Sequence, residues 1–105
     1  MVVPYCHEGD ITKLDNNSLY EMSSLTRASV SALERLMQPT GFNIGMNIGR
    51  VAGAGITEHV HMHVVPRWSG DTNFMTVLGG TRMIPEDLEA TYNKILPLLL
   101  EEMSK

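Results

Sequence analysis

Apolar and polar positions recur along the 105-residue chain with two different periods, and the change of period divides it into elements. After Asp15, apolar residues return at Leu19, Met22, Leu25, Leu33, Leu36 and Met37, with Ala32 in register, while Glu21, Ser24, Arg27, Ser31, Glu34 and Arg35 cover much of the remaining surface. That spacing predicts an amphipathic helix. Asp15 is a suitable N-cap, and Pro39 requires the helix to end before it. From Gly41 the period drops to two. Phe42, Ile44, Met46 and Ile48 alternate with Asn43, Gly45, Asn47 and Gly49, which predicts a strand with one apolar face and one flat polar face. A flat face of this kind suits the close approach of a ligand, and equally an exposed face of an antiparallel sheet. The second period-two stretch is His59-Val60-His61-Met62-His63-Val64-Val65. As a strand it sends Val60, Met62 and Val64 to a core and lines up His59, His61 and His63 on the other side.

The flanking segments carry weaker signals. Met1 to Tyr5 reads as an apolar strand that Pro4 ends or places at a sheet edge. Ser69 to Asn73 has turn composition, Phe74 to Leu78 fits a further short strand, and Gly79-Gly80 breaks it. Pro85 suits the first position of a second helix, whose stripe runs Leu88, Tyr92, Ile95, Leu96, Leu99 and Met103. Pro97 is expected to kink or end that helix midway, leaving a tail that frays or packs on a partner.

Size and charge narrow the picture. A chain of this length holds a single domain, residues 1–105. A formal net charge of −4 argues against nucleic acid as a partner, yet a phosphorylated small molecule is compatible with it, because loop N–H groups can hold phosphate. Cys6 is the only cysteine, so no intrachain disulfide forms and a reduced, cytoplasmic setting is expected. Met1-Val2-Val3-Pro4 lacks the basic start of a signal peptide, and the run Ile95 to Leu100 is too short to span a membrane.

Three of the chain's four histidines lie in one five-residue segment. Burying three imidazoles without partners is unfavourable, so a purely structural use is the weakest reading. Alternate histidines on a strand can share a zinc ion, with Glu58 or His7 as a fourth ligand. A neutral imidazole is also a nucleophile near neutral pH, and its neighbours can donate to phosphoryl oxygens. The loop Arg50 to Glu58, with Gly53 and Gly55, leaves N–H groups uncovered directly before the triplet, and it is neither a Walker loop nor a dinucleotide fingerprint.

The segment His59 to Val65 resembles the His-φ-His-φ-His-φ-φ motif of the histidine triad family of nucleotide hydrolases and transferases. The likeness extends to Gly41-Phe42-Asn43-Ile44-Gly45-Met46-Asn47, to Ala52-Gly53-Ala54-Gly55, and to Val65-Pro66-Arg67-Trp68 through Phe74. These stretches are similar to a prokaryotic branch that includes diadenosine tetraphosphate phosphorylase and dinucleoside polyphosphate hydrolases. The resemblance implies an α+β fold, an antiparallel sheet packed with two helices, and a twofold homodimer. It implies catalysis through a nucleotidyl-histidine intermediate on His61, with His63 on phosphate oxygens and His59 orienting the site. Asn47 and the N–H groups of Ala54, Gly55 and Ile56 would bind substrate near the phosphate, and Trp68 would stack near the second nucleoside. No resident cofactor or protein-bound metal is implied; a divalent ion would arrive with the nucleotide. Two departures stand out. Members generally carry a strand and helix ahead of Val2-Val3-Pro4, with a ribose-binding acid and a further histidine, so this sequence reads as lacking that N-terminal part. Many also have Gln or Ser where Gly55 stands. A non-catalytic phosphate-binding remnant is therefore the alternative to an enzyme.

Overall fold

A computed structural model describes residues 1–6, 8–52, 59–71 and 88–105. Helix α1 spans Asn16–Met37, with both ends set by local chemistry. The Asp15 carboxylate accepts from the Ser18 N–H at 3.2 Å and from its hydroxyl at 2.6 Å, satisfying a first-turn donor. Gln38 closes the other end in the left-handed region, φ 51°, with its N–H on the Glu34 carbonyl, and Pro39 follows.

Strand β1, Gly41–Gly45, pairs antiparallel with β2, His63–Arg67, in a register that sets Gly41 against Arg67 and Gly45 against His63. Val2 forms an isolated bridge to Met62, each N–H donating to the other's carbonyl at 2.8 Å. Successive residues of a strand bond to opposite neighbours. Met62 therefore faces Val2 while His63 faces β1, and Pro66, in step with Met62, turns its missing N–H away from β1.

The core is small. Val2, Leu14, Met22 and Val60 are buried together, with Ile11, Leu19, Leu25, Met46 and Met62 packed around them. Alternation along the histidine segment thus delivers Val60 and Met62 to α1, as the pattern requires. Helix α2, Leu88–Met103, packs along α1, where Ala28 and Ala32 are buried. The Arg35 guanidinium reaches Glu101 at 3.2 Å and Glu102 at 3.3 Å, tying the end of α2 to α1. Among the described residues, no helix is long and apolar enough to cross a membrane.

Several sequence expectations are corrected. The N-terminal strand is reduced to the bridge at Val2, since Pro4 has no N–H to continue a ladder and its carbonyl meets a histidine ring instead. The strand expected over His59–Val65 is regular only from His63, because the ladder with β1 stops at the Gly45–His63 pair. The alternation through Ile48 likewise outruns β1, which ends at Gly45. Pro97 does not end α2. Both Pro97 and Asn93, whose carbonyl loses its intrahelical donor, are exposed, so water can replace the missing bond. The tail beyond Pro97 packs on α1 rather than fraying. The expected strand Phe74–Leu78, the break at Gly79-Gly80 and the start at Pro85 lie outside the described residues.

Candidate active site

Two of the three histidines are held by main-chain carbonyls. His59 Nε2 lies 2.6 Å from the carbonyl oxygen of Pro4, so the first few residues of the chain reach across to fix the first ring. His61 Nδ1 lies 3.2 Å from the carbonyl oxygen of His59. A carbonyl oxygen can only accept, so in each case the facing ring nitrogen carries the proton. The neutral His61 ring is thereby fixed as the Nδ1–H tautomer, and the lone pair sits on Nε2. His61 is 9% exposed, and the His63 ring stands against it edge-on, with centroids 4.6 Å apart and planes at 82°. Across the ladder from His63 is Gly45, where an added Cβ would meet no described residue within 4 Å. Among the described residues, the His63 side of the sheet is therefore open at this position.

Asn47 is exposed two residues beyond the end of β1. Two further steps along the register from Gly45–His63 reach Asn47 and His61, so the register, continued past the end of the ladder, would set Asn47 opposite His61. Ala54, Gly55 and Ile56, together with His7 and Glu58, lie outside the described residues. Trp68 follows the last residue of β2 and is 41% exposed. Its seven-residue separation from His61, taken at a strand rise of ~3.3 Å per residue, amounts to roughly 23 Å. That is too far for both to touch one phosphate, and a scale suited to opposite ends of an extended ligand.

Around Trp68 lies a polar network that motif reading misses. Arg67 Nε and Nη2 donate to the two oxygens of Asp71 at 2.7 and 2.8 Å, a two-point contact. Its Nη1 donates to the Asn43 side-chain oxygen on β1. The Trp68 N–H donates to Asp71 Oδ2 at 3.0 Å. The bonds from Asp71, and then its charge, raise the pKa of Arg67 above the ordinary arginine value. The available signal was the opposite charges four residues apart around Ser69-Gly70. A shallow hollow of about 370 Å3 is lined here by Gly41, Phe42, Asn43, Arg67, Trp68 and Asp71, among others. A larger one, about 730 Å3, lies between α1 and the end of α2, lined by Tyr20, Arg27, Ala28, Glu102 and Met103 among others. Neither of these two hollows is lined by a histidine of the triplet.

Comparison with known proteins gives concordant results. The family model described as HIT domain matches residues 1–70. The AP-4-A phosphorylase of Mycobacterium tuberculosis is 41% identical over 91 residues, 87% of this chain and 47% of that protein. An uncharacterized 16.1 kDa HIT-like protein of Mycoplasma pneumoniae is 34% identical over 74 residues, 70% of this chain and 51% of that protein. The chain thus spans about half the length of the curated relatives it matches. A crystal structure of a zinc-bound histidine triad family protein from Mycobacterium smegmatis aligns with TM-score 0.74 at 26% identity, covering 97% of this chain and 68% of that one.

Proposed function

Since the chain belongs to the HIT domain family, we propose that it is a nucleotide-processing enzyme acting on dinucleoside polyphosphates or related nucleoside phosphate derivatives. The observation that carries this reading is the His61 Nδ1 contact with the His59 carbonyl, which leaves Nε2 as the nucleophile. In the first displacement Nε2 bonds to the α-phosphorus, and the P–O bond to the remaining polyphosphate breaks. The leaving nucleotide carries away the electron pair. His63, standing beside His61 with open space across from it, donates to the phosphoryl oxygens. In the second displacement water or inorganic phosphate bonds to phosphorus, the P–N bond breaks, and His61 is regenerated. Asn47 binds near the transferred phosphate or ribose, and Trp68 stacks on the nucleoside of the leaving half. The likeness to the AP-4-A phosphorylase of M. tuberculosis supports a dinucleoside tetraphosphate as substrate and phosphate as acceptor.

The zinc named for the M. smegmatis protein prompts a second reading, and the described residues do not fit it. His59 and His61 each have one ring nitrogen on a carbonyl and could offer a metal only the other, and zinc takes three or four ligands converging on one point. Among the described residues, no group of three His, Cys, Asp or Glu side chains is arranged to hold a metal.

The test is to incubate the protein with diadenosine tetraphosphate, with and without inorganic phosphate, and to identify products and any adenylated peptide. An adduct on His61 is expected. Product release without that adduct would refute the mechanism, and binding with neither adduct nor products would favour the non-catalytic remnant.

A further inference from the structure

The turn that carries Trp68 is fixed from both sides. The Asp71 carboxylate takes the Trp68 N–H, and the Asp71 N–H returns to the Trp68 carbonyl at 3.1 Å. The same carboxylate grips the guanidinium of Arg67 at two points, with side chains 19% and 37% exposed. Arg67 in turn is pinned to β1. Its carbonyl accepts from the Thr40 N–H at 2.9 Å and hydroxyl at 3.1 Å, and its Nη1 donates to Asn43. Gly70, φ +81°, allows the chain to close this loop. A tie between strand ends would be complete with Arg67, Thr40 and Asn43; the bonds between Asp71 and both peptide groups of Trp68 add nothing to it. They do remove backbone freedom from a large, 41% exposed indole at the rim of a hollow. An aromatic ring ordered in advance binds a flat ligand with less loss of conformational freedom.

We propose that Asp71, acting through Arg67 and the Trp68 N–H, is a positioning residue that presents Trp68 to the nucleoside on the leaving side of the substrate. This rests on the assignment of Trp68 made under Proposed function. Asp71 makes no contact with the reacting atoms, so its removal should weaken binding of two-ended substrates and spare one-ended nucleotides.

Trp68 is the only tryptophan in the chain, so indole emission reports on it alone. In Asp71→Ala the emission should shift to longer wavelength and its anisotropy should fall, in protein without nucleotide. By calorimetry, affinity for diadenosine tetraphosphate should drop about tenfold while that for adenosine monophosphate stays at the wild-type value. Should Asp71→Ala fail to fold, Arg67→Lys, which keeps the charge and loses the two-point grip, is read by the same signals. Unchanged emission and anisotropy would overturn the clamp by itself. Changed emission, with Trp68→Ala binding diadenosine tetraphosphate as tightly as wild type, would instead remove the role given to Trp68 and leave Asp71 nothing to position.

Discussion

Val2→Ala tests whether the start of the chain anchors the histidine segment. Val2 is 8% exposed within the core cluster, and its backbone exchanges two hydrogen bonds with Met62. The substitution leaves those bonds and removes two buried methyl groups. At ~0.8 kcal/mol per buried carbon the transfer loss is about 1.6 kcal/mol, and a partly collapsed cavity raises it to roughly 2 kcal/mol. For a domain of this size that corresponds to a fall in Tm of about 8–16 °C. The control is Val3→Ala, one residue along and 45% exposed, for which a change within about 0.5 kcal/mol is expected. Urea unfolding followed by circular dichroism measures both. Equal effects at the two positions, or a Val2→Ala variant as stable as wild type, would mean that the terminus is not seated against Met62 and that the Pro4–His59 contact is incidental.

His61→Asn should abolish adduct formation and turnover while calorimetric affinity for nucleotide changes little, because only the covalent step is lost; loss of both together would assign His61 a structural role. Gly45→Phe should fill the open space opposite His63 and raise KM at least tenfold with an unchanged circular dichroism spectrum, whereas Gly45→Ala should be near neutral; a fully active Phe variant would show that substrate does not approach from that side. The Ser18 hydroxyl, and then its N–H, hold the Asp15 carboxyl below its ordinary value of 3.8. Its folded pKa is lowered, so its stabilisation is present above pH 3.8 and is lost as the pH falls through the folded value. Asp15→Asn should therefore flatten the acid limb of a stability–pH curve, and an unchanged limb would refute the cap's contribution.

What could be read from the sequence was what local chemistry decides. The span of α1 follows from Asp15 and Pro39, which act within a few residues of themselves. The core side of the histidine segment follows from alternation, and Val60 and Met62 are where it puts them. What escaped depends on pairing between distant positions. The early end of β1 has no local cause that periodicity could reveal, and the pairing of Val2 with Met62 joins positions sixty residues apart. Pro97 misleads because a missing donor matters only where water cannot replace it, and it lies on an exposed face. The three histidines were legible as a set, but the groups that orient the first two are main-chain carbonyls of Pro4 and His59, to which no motif of side chains points. The Arg67–Asp71 pair was visible only as two opposite charges flanking a turn.

That the acceptor facing His61 is backbone has a bearing on how the protein can be altered. Every amino acid offers the same oxygen at position 59, so exchanging His59 for another residue erases its own ring but not the feature that selects the protonated nitrogen next door. An engineer wishing to change the tautomer of His61 without touching it would have to shift the peptide plane itself, for instance by disturbing what pairs with Met62, rather than edit a side chain.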